Sequence, residues 1–135
     1  VTKGWSEAYG MFLDGEADMV LSYTTSPAYH LIAESKPQYQ AAAFEEGHYR
    51  QVEVAAKLKS AKQEKLADQF LQFMVSPAFQ QEIPTGNWMY PVIDTPLPKG
   101  FEQMITVAKP LAFSSDEVAA NRKGWIREWL QAVTQ

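Results

Sequence analysis

Apolar residues in the first 34 positions change their spacing twice, and that switch confines the chain to folds that alternate helix with strand. Trp5, Ala8, Tyr9, Phe12 and Leu13 recur at the three-to-four-residue interval of an amphipathic helix, which Gly15 is placed to end. Met19 to Tyr23 is a short apolar run that reads as a buried strand. Ser26 and Pro27 then supply an N-cap and first-turn pair, which predicts a helix from Pro27 to about Glu34. Helix, Gly-Glu-Ala-Asp turn, strand and helix make an α/β unit.

Further along, Tyr39 to Phe44 and Tyr49 to Leu58 read as strands; Val52, Val54 and Ala56 alternate with Gln51, Glu53 and Ala55, as in a half-buried strand. Ser60 and Gln63 have capping-box spacing ahead of a helical face formed by Leu66, Ala67, Phe70, Leu71 and Met74. Ser76-Pro77 restarts a short helix through about Gln81. Pro84, Gly86, Pro91, Pro96, Pro98 and Gly100 then forbid a long regular element and leave a structured loop with room for one short strand. Ser114 and Glu117 open a last helix along Val118, Arg122, Trp125, Ile126, Trp129 and Val133, whose tryptophans read as core or lobe packing.

The segment Tyr23-Thr24-Thr25-Ser26 thus falls between the carboxyl end of a strand and a helix N-terminus, where open α/β sheets keep their ligand sites. Trp5, Tyr23, Tyr29 and Trp88 bring aromatic faces to this reading. Such faces attract a cation within about 6 Å at roughly 0.5 to 2 kcal/mol per contact. Hydroxyls of Thr24, Thr25 and Ser26 would orient the ligand's polar edge. Rings also fill cores, and Trp88, in a loop rich in Pro and Gly, either anchors that loop or offers its face to a ligand.

With 135 residues, 46% of them hydrophobic and 21% charged, the chain is of ordinary globular composition, long enough for a real core. Its net charge of −4 and scattered basic residues argue against a nucleic-acid partner. No apolar run is long enough to span a bilayer as a helix. The chain has no cysteine, so disulfides, thiolate metal sites and cysteine nucleophiles are excluded. Its two histidines, His30 and His48, lack the spacing of a zinc helix, and no metal site is expected. Phosphate-cradling glycine loops and a Gly-x-Ser-x-Gly elbow are missing as well. The first residue, Val1, is not Met, which suggests a piece of a longer protein.

Long stretches of this text, GWSEAYG at 4–10, GEAD followed by VLSYTTSPAYH ending at His30, EGHYRQVEVAA at 46–56, ADQFLQFMVSPAFQ at 67–80 and above all IPTGNWMYPV at 83–92, resemble the C-terminal part of the thiamine-binding periplasmic proteins, solute receptors of bacterial ABC importers. The resemblance implies an α/β fold of the type II periplasmic solute-binding class, with pieces of both lobes. By analogy, residues 1–47 belong to the C-terminal lobe (helix-strand-helix-strand), 48–92 supply a hinge strand and helices returning to the N-terminal lobe, and 93–135 form a Pro-rich crossing and final helix. It implies a non-enzymatic receptor that captures thiamine, thiamine monophosphate or thiamine diphosphate in the periplasm and delivers it to a transporter permease, with no cofactor. The rest of the same protein, N-terminal to this piece, is a further implied partner. The implied ligand residues are Trp5, Tyr23, Thr24, Thr25, Ser26 and Trp88, with Tyr29 added from the same run. Related iron receptors use two adjacent tyrosines, whereas Tyr23 is followed here by Thr24, which speaks against ferric iron. A polyamine or other organic cation would suit the same rings, and an α/β hydrolase-like enzyme using Ser26 or paired carboxylates is the alternative of another class.

Overall fold

Local signals decide where the helices lie. The computed structural model describes residues 2–134; Val1 and Gln135, at the outer limits of the lobe assignment, lie outside them. In chain order the elements are α1 (Trp5–Leu13), α2 (Ser26–Ala33), β1 (His48–Tyr49), α3 (Glu64–Met74), α4 (Pro77–Gln80), α5 (Ile83–Gly86), a 3₁₀ turn (Phe101–Gln103), β2 (Pro110–Leu111) and α6 (Ser115–Val133). Helices with a short parallel ladder fit the α/β class.

The chain gathers into two units. The first comprises Val1–Ser22, Glu45–Arg50 and Ala108–Gln135, and the second Tyr23–Phe44 and Gln51–Val107. In the first, β1 and β2 pair in parallel, His48 with Pro110 and Tyr49 with Leu111. Gly47 leads into this ladder at φ +112°, where a Cβ would sit 2.6 Å from the Lys109 carbonyl oxygen, so only glycine lets the strands approach. Tyr49 stacks on Phe113, which also meets Trp125 of α6 at 5.2 Å between ring centroids. None of this unit's described residues is buried. Trp125 and Trp129, expected as packing residues, are both exposed, because α6 has only this thin layer against it within the unit.

Ser114 caps α6 with both arms of a capping box: its Oγ accepts from the Glu117 N–H at 3.2 Å, and Glu117 Oε2 accepts from the Ser114 N–H at 2.8 Å. The Ser114 backbone N–H, and after it the Ser114 hydroxyl, hold the Glu117 carboxyl below the usual carboxylate range. Because folding lowers this pKa, the contribution is complete above the unfolded carboxylate's value and is lost as pH falls through the folded one. Ser114→Ala is expected to cost about 1 kcal/mol in chemical unfolding. Glu117→Gln should flatten the acid limb of the stability profile, and an unchanged limb would remove the box from the account.

The second unit holds the core: Ala28, Phe101 and Pro84, with Thr25, His30 and Gln80 buried beside them. Gly100 at φ +111° lets Leu31 and Ile32 of α2 close on the 3₁₀ turn, with their side-chain carbons 3.2 and 3.1 Å from where a Cβ would lie. Tyr90 packs edge-on against Phe101 at 5.8 Å. Phe73 of α3 does the same with Phe79 near the end of α4, at 5.6 Å.

Two expected strands do not form, and a third is cut short. Residues 19–23, 39–44 and 51–58 carry no ladder among the described residues, and the expected burial is absent, with Leu21 91% and Val54 87% exposed. A strand exists through its partner's N–H and C=O groups, and no described segment supplies them here. The same limit trims the expected strand at 49–58 to the two-residue ladder at His48–Tyr49. Gln63, not Ser60, caps α3, without a side-chain bond, so the expected box is not used. Within the Pro-rich stretch the one regular element is a single helical turn, α5, opened by Pro84.

Candidate functional site

The polar turn before α2 is built by its own backbone. Ser26 N–H donates to the Tyr23 carbonyl at 3.0 Å, and Ala28 N–H to the Thr25 carbonyl at 3.0 Å. Pro27 in the first turn has no N–H to satisfy, so the turn passes directly into helix. The N-cap residue is Thr25 rather than the expected Ser26, which becomes the first helical residue; Thr25 gives no side-chain cap bond.

Of the expected site residues, Tyr23, Thr24, Thr25, Ser26, Tyr29 and Trp88 lie in the second unit and Trp5 in the first. Tyr29, one turn into α2, meets Trp88 edge to face at 5.2 Å and 80°. Both the Tyr23 and Tyr29 rings are exposed, and Trp88 is half-buried. Thr24 borders an open cavity of about 210 Å³ with Pro27, Leu31, Tyr39, Gln103 and Met104. Trp5 is exposed at the start of α1, its indole N–H donating to Ser22 Oγ at 3.3 Å and its ring packed 4.8 Å from that of Tyr9.

Thr25 departs from the pattern of an open ligand hydroxyl. It is only 3% exposed, and its Oγ1 donates to the backbone carbonyl of Trp88 at 2.5 Å. Trp88 itself adopts φ +55°. That left-handed backbone costs a bulky L-residue on the order of 1–3 kcal/mol and persists only where its surroundings hold it. Asn87, the residue before, donates from Nδ2 to Glu53 Oε2 at 3.0 Å.

Behind Tyr29 stands His30, 1% exposed, with Nδ1 2.7 Å from Glu34 Oε2 and its ring 4.1 Å from Tyr39. The His30 bond, then the bond to Lys36, holds the Glu34 carboxyl below the usual carboxylate range against the opposing effect of burial. Gln80 is the other buried polar anchor. Its Nε2 donates to the Met74 carbonyl at 2.7 Å, and its Oε1 accepts from the Val92 N–H at 2.8 Å, pinning the loop four residues past Trp88. The His30–Glu34 pair has the i, i+4 spacing of a helix face and is readable in the sequence, whereas the Gln80 bridge has no such signal; Gly86-Asn87-Trp88 suggests Gly or Asn, not Trp, for the left-handed position.

Taken together, the second unit presents π faces beside a helix start, set on a buried polar scaffold. Such faces bind cations and flat heterocycles. Among the described residues there is no group of three or more His, Asp or Glu able to hold a metal ion.

Known proteins are similar to this chain in sequence and in fold. The chain is 64% identical over its whole length to the thiamine-binding periplasmic proteins of Salmonella typhimurium (strain LT2) and Escherichia coli (strain K12), and 50% identical to that of Brucella abortus. It spans 41% of the length of each of these relatives. A solved structure, a periplasmic thiamin binding protein, superposes with a TM-score of 0.93 at 64% identity, covering all of this chain and 42% of that one. The periplasm that these names state is this chain's compartment as well. The sequence model described as bacterial extracellular solute-binding protein matches residues 1–81, and by that match the chain belongs to this family.

Proposed function

We propose that this chain is part of a non-enzymatic receptor that captures thiamine between two lobes and hands it to an ABC importer. The observation that carries the reading is the Tyr29–Trp88 pair, 5.2 Å apart at the N-terminal turn of α2, the helix that Tyr23, also exposed, precedes by three residues. A thiazolium ring supplies the positive charge that such faces attract. Identity of 64% to thiamine-binding proteins over all 135 residues supports the same ligand. Trp5, Tyr23, Thr24, Ser26, Tyr29 and Trp88 are assigned to the ligand, and Thr25 to the same site through its bond to the Trp88 carbonyl.

The fold reading is the type II solute-binding class, with residues 1–47 in the C-terminal lobe, 48–92 as hinge and return, and 93–135 as crossing and last helix. Closure of the lobes on the ligand would be the signal the permease reads. Thiamine monophosphate and thiamine diphosphate are ligands of the same site.

Isothermal titration with thiamine of the protein as its cell makes it tests this. Saturable binding well below millimolar is expected, undisturbed by excess spermidine. Affinity no better than millimolar, or displacement by spermidine at equal concentration, would reject thiamine as the ligand.

A further inference from the structure

We propose that Thr25 is a positioning residue, which serves the aromatic site by clamping Trp88 in its left-handed conformation rather than by touching the ligand. This rests on the reading of the Trp88 face as a ligand surface. Three observations converge on it. The Thr25 side chain is buried and its hydroxyl donates to the Trp88 carbonyl, 63 positions away in sequence. Trp88 has a positive φ without being glycine or asparagine. Its indole meets the ring of Tyr29, which lies one turn beyond Thr25 on α2.

The physical argument concerns which peptide orientation survives. A tryptophan with negative φ turns its carbonyl and its Cα–Cβ bond together, so releasing the left-handed state swings the indole away from Tyr29. The Thr25 bond acts on the carbonyl end of that rotation and the Tyr29 ring on the indole end. Both restraints issue from the first turn of α2, so one rigid element fixes the indole face. Loss of the hydroxyl frees the carbonyl while leaving every ring in the chain.

A double-mutant cycle distinguishes a clamp from a direct contact. Thr25→Val, which keeps the shape and removes the donor, is expected to weaken thiamine binding about tenfold, and Thr25→Ser to restore it. In a Trp88→Gly background, where no indole remains to be positioned, Thr25→Val should add no further loss. An undiminished loss in that background, or wild-type affinity in Thr25→Val, overturns the clamp. The second readout needs no ligand. In protein labelled with 5-fluorotryptophan, the Trp88 fluorine resonance, assigned by its disappearance in Trp88→Phe, should shift and broaden in Thr25→Val and return in Thr25→Ser. A resonance unmoved by Thr25→Val overturns the clamp. Should the wild-type protein bind no thiamine while the resonance responds in this way, the ligand reading fails and the clamp stands.

Discussion

Trp88→Ala is expected to weaken thiamine binding by about 1–3 kcal/mol, roughly five- to 150-fold in dissociation constant, while leaving thermal unfolding nearly unchanged. The asymmetry follows from where the ring sits. Trp88 is half-buried and outside the cluster formed by Ala28, Phe101 and Pro84, so its removal takes away a ligand face more than a core contact. Alanine inherits the left-handed backbone without relief, since it too carries a Cβ, and Thr25 still reaches the carbonyl. Tyr23→Ala should behave alike, its ring being exposed and its carbonyl free to keep the turn to Ser26. Titration calorimetry on both variants decides the matter: unchanged affinity in either removes that ring from the site.

Gln80→Leu should have the opposite profile, costing about 2–4 kcal/mol of stability, because it strands two partners at once. The substitution keeps much of the volume but deprives the Met74 carbonyl of its donor and the Val92 N–H of its acceptor, breaking both bonds of a buried glutamine. Affinity should fall as a secondary effect, since the freed loop begins four residues past Trp88. Urea unfolding gives the direct reading. A loss below about 0.5 kcal/mol would mean that water replaces both bonds and that the Gln80 bridge does not secure the loop.

These contrasts mark which parts of the molecule a linear reading reaches. Helix α1 was legible because its apolar interval and Gly15, at φ +78°, are local facts, and α4 and α6 because Ser76 and Ser114 announce their caps within three residues. The strands were not. Met19–Tyr23 and Gln51–Leu58 have strand-like composition, but a ladder needs a second segment whose presence no local pattern guarantees, and β2 is hidden behind Pro110. At the site, the polar turn could be found from Pro27 and the hydroxyl run before it, although the cap falls on Thr25 and not on Ser26. Its supports could not: the Thr25 bond spans 63 positions, and Gln80 looks like any surface glutamine until Val92 folds back on it. Chemistry-bearing residue types were readable; the groups that aim them were not.

The three-part make-up of the first unit has a consequence for the order of folding. His48 and Tyr49 must wait for Pro110 and Leu111, so their ladder closes a loop of roughly 60 residues, at an entropic cost of about 4 kcal/mol before any fixed term. All segments of the second unit lie before β2 in sequence, and most of them between β1 and β2. Consolidation of that unit ahead of the ladder would shorten the effective tether and lower the closure cost.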